Sequence, residues 1–260
     1  MTSRIIRQLT LRKWMPFREW LKGLGSFMLQ VFYHGGGITL LVKDSLYILC
    51  TTKLRWNATV EQMNKIGVTS LPLVFLTALF TGMVLSFQSA YQLRLFAAQQ
   101  FTSDLVALSM TRELGPVLTA MVVAGRVGAS IAAEIGTMKV TEQIDALRSL
   151  AVNPIRYLVV PRFVAAFLML FVLTIYADWI GMLGGYLISV FKLGISSSQY
   201  IKRSMDVLMI KDVMTGLIKA FFFGGIISIV GCYFGFNAQG GAEGVGRATT
   251  MAVVVALIMI

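Results

Sequence analysis

The feature of this sequence that most restricts its fold is a run of 22 residues without a charge, from Ile66 to Phe87. As an α-helix this run would be about 33 Å long, at ~1.5 Å per residue, which is enough to cross a hydrocarbon core of ~30 Å. Charged residues make up 13% of the chain, roughly half the share usual in soluble domains. The sequence therefore predicts an all-α integral membrane protein.

Five transmembrane helices are predicted along the chain. Four apolar segments have spanning length, and they cover residues 64–88, 105–133, 157–191 and 213–234. Pro72 lies inside the first segment and predicts a kink there. After a glycine-rich turn predicted over residues 235–247, the apolar run from Ala248 to Ile260 has 13 residues, about 20 Å of helix, and is too short to span by itself.

The N-terminal region, residues 1–60, differs in character from the predicted transmembrane domain, residues 61–260. Its first 25 residues mix six basic side chains with Trp14, Phe17 and Trp20, which is typical of a helix lying in the membrane interface. A disordered cytoplasmic tail is the alternative. Residues 26–50 are predicted to form a partly embedded lead-in helix, and no cleavable signal peptide is predicted.

Basic residues predict the orientation of the spans. Ten lie in the chain up to Lys65, against one, Arg94, in the segment 88–104. This places the N-terminus in the cytoplasm, with residues 134–162 also inside and residues 192–212 outside. With this distribution, the net charge of +11 favours anionic lipid headgroups over nucleic acid as the partner.

The sequence gives no positive case for an enzyme. It contains no G-x-x-x-x-G-K-[ST] stretch, and the glycines at 240, 241, 244 and 246 resemble a phosphate-binding loop in composition alone. His34 is the one histidine, and Cys50 and Cys232 are far apart in sequence. We therefore expect no catalytic residue, no bound cofactor and no metal site.

Charged residues inside the predicted spans are candidates for a polar site, because a charge in hydrocarbon is costly and usually faces a partner or a cavity. Arg112 and Glu113 are adjacent, so they point about 100° apart and cannot simply face each other. They either form a cavity or gate, or lie near the outer end of span 2 and contact headgroups. Arg126 is predicted to be deeper, and to be buried or to face a cavity. Asp178 and Lys219 either pair with each other, or Lys219 extends to the interface.

Residues 134–150 are predicted to form an amphipathic cytoplasmic helix. Apolar residues recur at helical spacing, and the polar face includes the acids Glu134, Glu142 and Asp145. Such a helix either lies on the bilayer or docks on a protein. Because a surface-lying helix favours Lys and Arg on its polar face, the acids favour protein docking.

Several motifs along the chain resemble those of the MlaE/YrbE-type permease family. The longest match is residues 105–163, with the patterns R-E-L-G-P, A-G-R-x-G and E-I-G-x-M-x-x-T-E-Q-I. Residues 82–85 with Gln88, and Gly246 to Thr250, are similar too. The resemblance extends in order from about residue 64 to 250.

The resemblance implies the permease subunit of an ABC transporter that moves phospholipid or a related lipid between the inner membrane and an outer envelope layer. It implies a homodimer enclosing a lipid cavity, a separate cytoplasmic ATPase that uses ATP, and a partner protein with an MCE domain. It also implies that residues 134–150 are the coupling helix; its candidate contacts are Glu134, Met138, Glu142, Ile144, Asp145 and Leu147. Close helix approach at the dimer or cavity is predicted at Gly82, Gly125 and Gly128.

Three other functions stay open from the sequence. One is an ABC permease for another hydrophobic cargo such as a sterol. The second is an ion-coupled secondary transporter that uses the charges within the spans, although no internal repeat is visible. The third is a membrane anchor that recruits soluble proteins through residues 134–150. The predicted location is the bacterial inner membrane.

Overall fold

A computed structural model describes residues 25, 28–30 and 32–260, and every regular element among them is a helix. The predicted interfacial helix over residues 1–25 lies almost wholly outside the described residues. The chain divides into two compact units, Met1–Asp44 and Ser45–Ile260. In the first unit residues 32–44 are helical, and the second unit opens with helical residues 45–51. The all-α prediction is confirmed.

Within the described part of the chain, five helical segments are long and apolar enough to cross a membrane. They are Trp56–Arg94, Gln99–Val140, Ile155–Phe191, Ile210–Phe236 and Gly241–Met259, here called spans 1 to 5. The predicted number of transmembrane helices is therefore confirmed.

Span 1 consists of two helices, α1 (Trp56–Ile66) and α2 (Leu71–Arg94), joined by a 3₁₀ turn over Val68–Ser70. Pro72 lies in the first turn of α2, where its missing N–H leaves no hydrogen bond unmade. The helix is interrupted in the turn that precedes Pro72, which is where a kink caused by this proline is expected.

Span 2 contains two π-helical segments, in which the backbone winds more widely than in an α-helix. In chain order it comprises α3 (Thr102–Ser109), π1 (Met110–Leu114), α4 (Gly115–Val123), π2 (Ala124–Gly128) and α5 (Ala129–Val140). Such segments occur frequently at functional sites.

The segment 134–150 is not a single helix, contrary to the prediction. Its first seven residues complete α5, and α6 (Gln143–Ser149) follows as a separate short helix. Between them Glu142 has φ +60°, a left-handed conformation that an α-helix cannot continue through.

The remaining spans are joined by short connections. Span 3 begins with a third π-helical segment, π3 (Ile155–Val159), and continues as α7 (Val160–Phe191). The amphipathic helix α8 (Ser197–Val207) precedes α9 (Ile210–Phe236), which forms span 4.

Span 5 is α10 (Gly241–Met259), whose 19 residues give about 28 Å of helix. The expectation of a run too short to span is wrong, because the helix begins seven residues before Ala248 and includes most of the predicted turn. The turn itself shrinks to residues 237–240. Gly240, with φ +87°, adopts the conformation that glycine accepts without steric cost.

Spans 2, 3 and 4 are the most buried of the five, and glycines let neighbouring helices approach one another closely. A Cβ atom at Gly82 of α2 would overlap the carbonyl oxygen of Gly181 of α7, and one at Gly184 would overlap that of Leu79. Ser86 and Ser189 share a buried hydrogen bond of 2.9 Å along the same contact. Small residues at membrane helix contacts permit such backbone approach.

The connecting loops lie at two opposite ends of the bundle, as expected for spans that alternate in direction. At one end, here the α8 end, Arg203 Nη1 donates to the carbonyl oxygen of Gln100 over 3.0 Å. At the other, the α6 end, the Arg55 guanidinium carbon lies 4.1 Å from the ring centroid of Tyr157. Span 1 therefore begins at the α6 end.

Candidate functional site

Arg112 and Glu113, both in π1, pair with the same neighbouring helix, α9. Lys219 Nζ lies 2.7 Å from Glu113 Oε2, and Arg112 Nε lies 3.6 Å from Asp212 Oδ1. The prediction that these two adjacent residues do not face each other is confirmed, since each has its own partner. The suggested pairing of Lys219 with Asp178 is wrong.

Lys219 also bonds to the backbone of span 2, and Pro116 explains why an acceptor is free there. Proline has no N–H, so Pro116 cannot donate to the carbonyl of Arg112 four residues earlier. Lys219 Nζ lies 3.1 Å from that carbonyl oxygen. The cation thus bridges a carboxylate and a carbonyl of span 2.

We call the side chains of Arg112, Glu113, Asp212 and Lys219 the π1 cluster. This cluster lies on an open face of the single chain. Glu113 is 63% exposed and Arg112 is 54% exposed, whereas Asp212 is 17% exposed. Lys219 is nine residues into α9, about 14 Å along the helix from the α8 end. Charges at this depth would meet hydrocarbon if the face were in contact with lipid tails, which is unfavourable.

Asp178 lies apart from the π1 cluster, buried in the contact between spans 2 and 3. It is 5% exposed, and its Oδ1 forms no hydrogen bond with the described residues. Thr174, one turn earlier in α7, also has an unpaired hydroxyl. Burying a polar group without a partner is costly, so this pair of side chains is the least satisfied part of the membrane core.

Arg126 lies in π2 and lines a cleft, which fits the cavity-facing alternative; the residue is exposed, so the buried alternative is wrong. Its Nη1 donates to Ser70 Oγ over 2.7 Å, at the start of α2. The cleft has a volume of about 290 Å³ and lies between α1 and α5; it is lined by Gln62, Lys65, Ile66, Arg126, Val127, Ser130, Ile131 and Glu134.

Glu134 belongs to α5 and not to a docking helix. Its Oε2 accepts a bond of 2.8 Å from Arg162 Nη2, and Arg162 Nη1 donates to the Leu158 carbonyl over 2.9 Å. Arg162 is 7% exposed, so this ion pair joins α5 to α7 inside the bundle. Met138 also lies in α5, so neither residue belongs to α6.

Helix α6 is anchored by one side chain and presents others to the outside. Ile144 is fully buried, whereas Leu147 is half-buried and Glu142 is exposed. Asp145 accepts bonds from Lys139 at 2.9 Å and Arg148 at 3.4 Å. The hydrogen bond from Lys139 lowers the pKa of the Asp145 carboxyl below 3.8.

Comparison with known proteins now decides the family. The family model described as Permease MlaE matches residues 59–260. The chain belongs to the MlaE permease family. It is accordingly a multi-pass membrane protein and the permease of an ABC transporter.

Relatives of this MlaE-family permease include bacterial and plant proteins. A probable ABC transporter permease protein of Rickettsia typhi is 46% identical over 242 residues, which are 93% of this chain and 89% of the relative. One of Synechocystis is 46% identical over 202 residues, or 78% and 77% of the two chains. The chloroplastic protein TRIGALACTOSYLDIACYLGLYCEROL 1 of Arabidopsis thaliana is 35% identical over 244 residues, or 94% and 68%.

The three glycines predicted for close packing in the permease have different surroundings. Gly82 meets α7 of its own chain, and a Cβ at Gly128 would lie 3.4 Å from Ile227 of α9. A Cβ at Gly125 would have no neighbour within 4 Å. Of the three, Gly125 is open to a second chain, and its role at an interface remains a prediction.

Sequence reasoning missed three partners of the candidate residues: Asp212 of Arg112, Arg162 of Glu134 and Ser70 of Arg126. It also missed Leu150, which lies beside α6 and is 73% exposed. One signal was available: Pro116 lies four residues after Arg112 and marks a free carbonyl. The other partners come from distant parts of the chain, and no local pattern identifies them.

Proposed function

We propose that this permease moves phospholipid or a related lipid across or out of its membrane, using ATP hydrolysed by a separate ATPase subunit. The observation that carries this proposal is the π1 cluster. A lipid has a charged or polar headgroup and apolar tails, and a face with charges of both signs between apolar helices complements both parts. The name of the Arabidopsis relative, which contains that of a galactolipid, supports a lipid cargo.

The open π1 cluster also supports a homodimer. Two charges of each sign on the face of a membrane helix pair need a polar neighbour or a water-filled cavity. A second copy of the chain would enclose this face and create a cavity lined by spans 1, 2 and 4. Gly125, open and small, would permit a close approach of the second chain.

The ATPase would dock at the α6 end. The sequence has no phosphate-binding loop, so ATP binding and hydrolysis belong to the partner. Because span 1 begins at the α6 end and the chain before it is rich in basic residues, we place this end in the cytoplasm of a bacterial inner membrane, with the N-terminus inside. A lipid-binding protein with an MCE domain would act at the α8 end.

Lipid transport by the purified permease and its ATPase tests the proposal. In liposomes, ATP-dependent movement of labelled phospholipid is expected for the wild type and for Glu61→Gln, which removes one partner of an exposed ion pair with Lys65. Glu113→Gln with Lys219→Met removes the π1 ion pair and should reduce transport. Ion uptake by the permease alone, driven by a gradient without the ATPase, would instead support a secondary transporter. ATP-dependent sterol movement without phospholipid movement would identify another cargo.

A further inference from the structure

A second cavity lies at the α6 end and shares no residue with the π1 cluster. It has a volume of about 400 Å³ and is lined by Arg55, Ala151, Val152, Asn153, Arg156 and Tyr157. Its walls are the residue before α1, the loop after α6 and the first residues of span 3.

The charge of this cavity is wholly positive. No carboxylate lines it, and in the described part of the chain neither Arg55 nor Arg156 lies within ion-pair distance of an acid. The cleft at Arg126 differs, because the Glu134 carboxylate forms part of its wall. Of the two, the Arg55–Arg156 cavity is the one suited to an anion.

The aromatic ring of Tyr157 holds one of the two cations in place. The Arg55 guanidinium carbon lies 4.1 Å from the Tyr157 ring centroid, within cation–π range. Stacking of this kind uses the face of the guanidinium and leaves its N–H donors free for an acceptor in its plane. Two guanidinium groups on one cavity match the paired oxygens of a phosphate.

The loop that forms the opposite wall has a fixed conformation. Ala151 has φ +57°, and its N–H donates to the Arg148 carbonyl over 3.0 Å. The Val152 N–H donates to the Leu147 carbonyl over 2.9 Å, and Asn153 Oδ1 accepts from the Ile155 N–H over 2.9 Å. The cavity is therefore formed before any ligand enters.

Two further features point to a lipid phosphate as the ligand. The 37 helical residues of span 3 begin at this cavity, and the positive end of their dipole favours an anion. Trp56 and Tyr157 beside it are 63% and 41% exposed, and exposed Trp and Tyr at the ends of spans mark the membrane interface.

We propose that Arg55 and Arg156 bind the phosphate of an anionic phospholipid in the leaflet at the α6 end. This site does not depend on the proposed cargo, because it shares no residue with the π1 cluster. Its wall is the loop that ends α6, so the bound lipid would lie beside the helix proposed to dock the ATPase.

Native mass spectrometry of the full-length permease in a neutral detergent tests the site, with short-chain phosphatidylglycerol and phosphatidylcholine as probes. The wild type should bind phosphatidylglycerol preferentially. Arg55→Gln with Arg156→Gln should weaken this binding about tenfold, since it removes charge-assisted hydrogen bonds. The matched control is Lys192→Gln with Lys202→Gln, which removes two exposed cations at the α8 end and should leave the binding unchanged.

A conservative double variant and a competition measurement make the result decisive. Arg55→Lys with Arg156→Lys keeps the charge and preserves folding, and it should bind phosphatidylglycerol more strongly than the Gln pair. Inorganic phosphate at millimolar concentration should not displace the lipid; displacement would show a site for free phosphate instead and overturn the proposal. Equal phosphatidylglycerol binding by the Gln pair and the α8-end control would overturn it as well.

Discussion

The carboxylate of Asp178 in span 3 occupies the space that a side chain at Gly115 in span 2 would need. A Cβ atom built on Gly115 would overlap Asp178 Oδ1 and would lie 2.8 Å from the Met110 carbonyl oxygen. Gly115 directly follows π1, so the same residue ends the wide turn that carries Arg112 and Glu113. The shape of the π1 cluster therefore depends on the contact between Gly115 and Asp178.

Gly115→Ala is expected to destabilise the permease by about 1–3 kcal/mol, because the added methyl group cannot fit without moving a backbone or a buried carboxylate. The measurement is thermal unfolding in detergent. Gly246→Ala is the matched control, since the same methyl group at that position of α10 meets nothing within 4 Å. Equal melting temperatures for the two variants would contradict the predicted overlap.

Asp178→Asn is expected to leave the melting temperature of the permease close to that of the wild type, because the amide keeps the shape of the side chain and removes its formal charge. Asp178→Lys should unfold at a clearly lower temperature, since the longer side chain must be placed in a full site. If Asp178→Asn lowered the melting temperature as much as Asp178→Lys, the carboxylate itself would be required. Asp178 would then belong among the functional charges.

Glu134→Gln is expected to cost about 1–3 kcal/mol, because Arg162 is buried and would lose its charged partner. Glu61→Gln is the control: its ion pair with Lys65 has side-chain exposures of 51% and 65%, and exposed pairs contribute about 0–1 kcal/mol. Unfolding by denaturant in mixed micelles compares the two. A larger loss from Glu61→Gln would show that the Glu134–Arg162 pair does not hold α5 against α7.

The pH dependence of α6 follows from the lowered pKa of Asp145. A carboxyl whose folded pKa is depressed contributes stability above its unfolded pKa, and this contribution is lost as the pH falls through the folded value. The ion pairs of Asp145 should therefore persist from neutral pH to below pH 3.8. Lys139→Gln should raise the pKa, as its hydrogen bond is the largest cause of the shift. Carboxyl NMR titration of labelled permease measures both values, and identical values would show that Lys139 is not the cause.

Patterns that depend on neighbouring residues predicted the fold well. The apolar runs identified four complete spans and the second part of the fifth, and the adjacency of Arg112 and Glu113 correctly excluded a mutual pair. The boundaries failed where a single backbone conformation decides the outcome. Glu142, in a left-handed conformation, divides the predicted helix 134–150. Gly241 to Gly246 continue as helix although their composition is typical of a turn.

The partners of the charged residues could not be predicted from the sequence, for a different reason. Glu134 and Arg162 are 28 residues apart, and Glu113 and Lys219 are 106 apart, so their meeting depends on how whole helices pack. Periodicity assigns a residue to a face of its own helix, but it does not say which helix covers that face.

Docking of the ATPase is the last prediction, and the geometry of α6 sharpens it. Glu142 and Asp145 are the acids of the docking segment that remain near the surface, since Glu134 is engaged within the bundle. Glu142→Lys with Asp145→Lys would reverse the charge of α6 against any surface that complements these acids, and like charges in contact cost several kcal/mol. A loss of about 3 kcal/mol corresponds to binding weaker by roughly a hundredfold.

Co-purification of the ATPase with wild-type and variant permease measures this loss, with size-exclusion chromatography as the check on folding. Asp206→Lys reverses an exposed acid of α8 at the opposite end of the bundle and should retain the ATPase fully. Glu142→Gly separates charge from conformation, because glycine accepts the left-handed backbone and removes the carboxylate. It should weaken docking less than the double Lys variant does. A folded double variant with full ATPase binding and full lipid transport would show that α6 does not dock the ATPase through its acids, and its exposed apolar neighbour Leu150 would then be the residue to test.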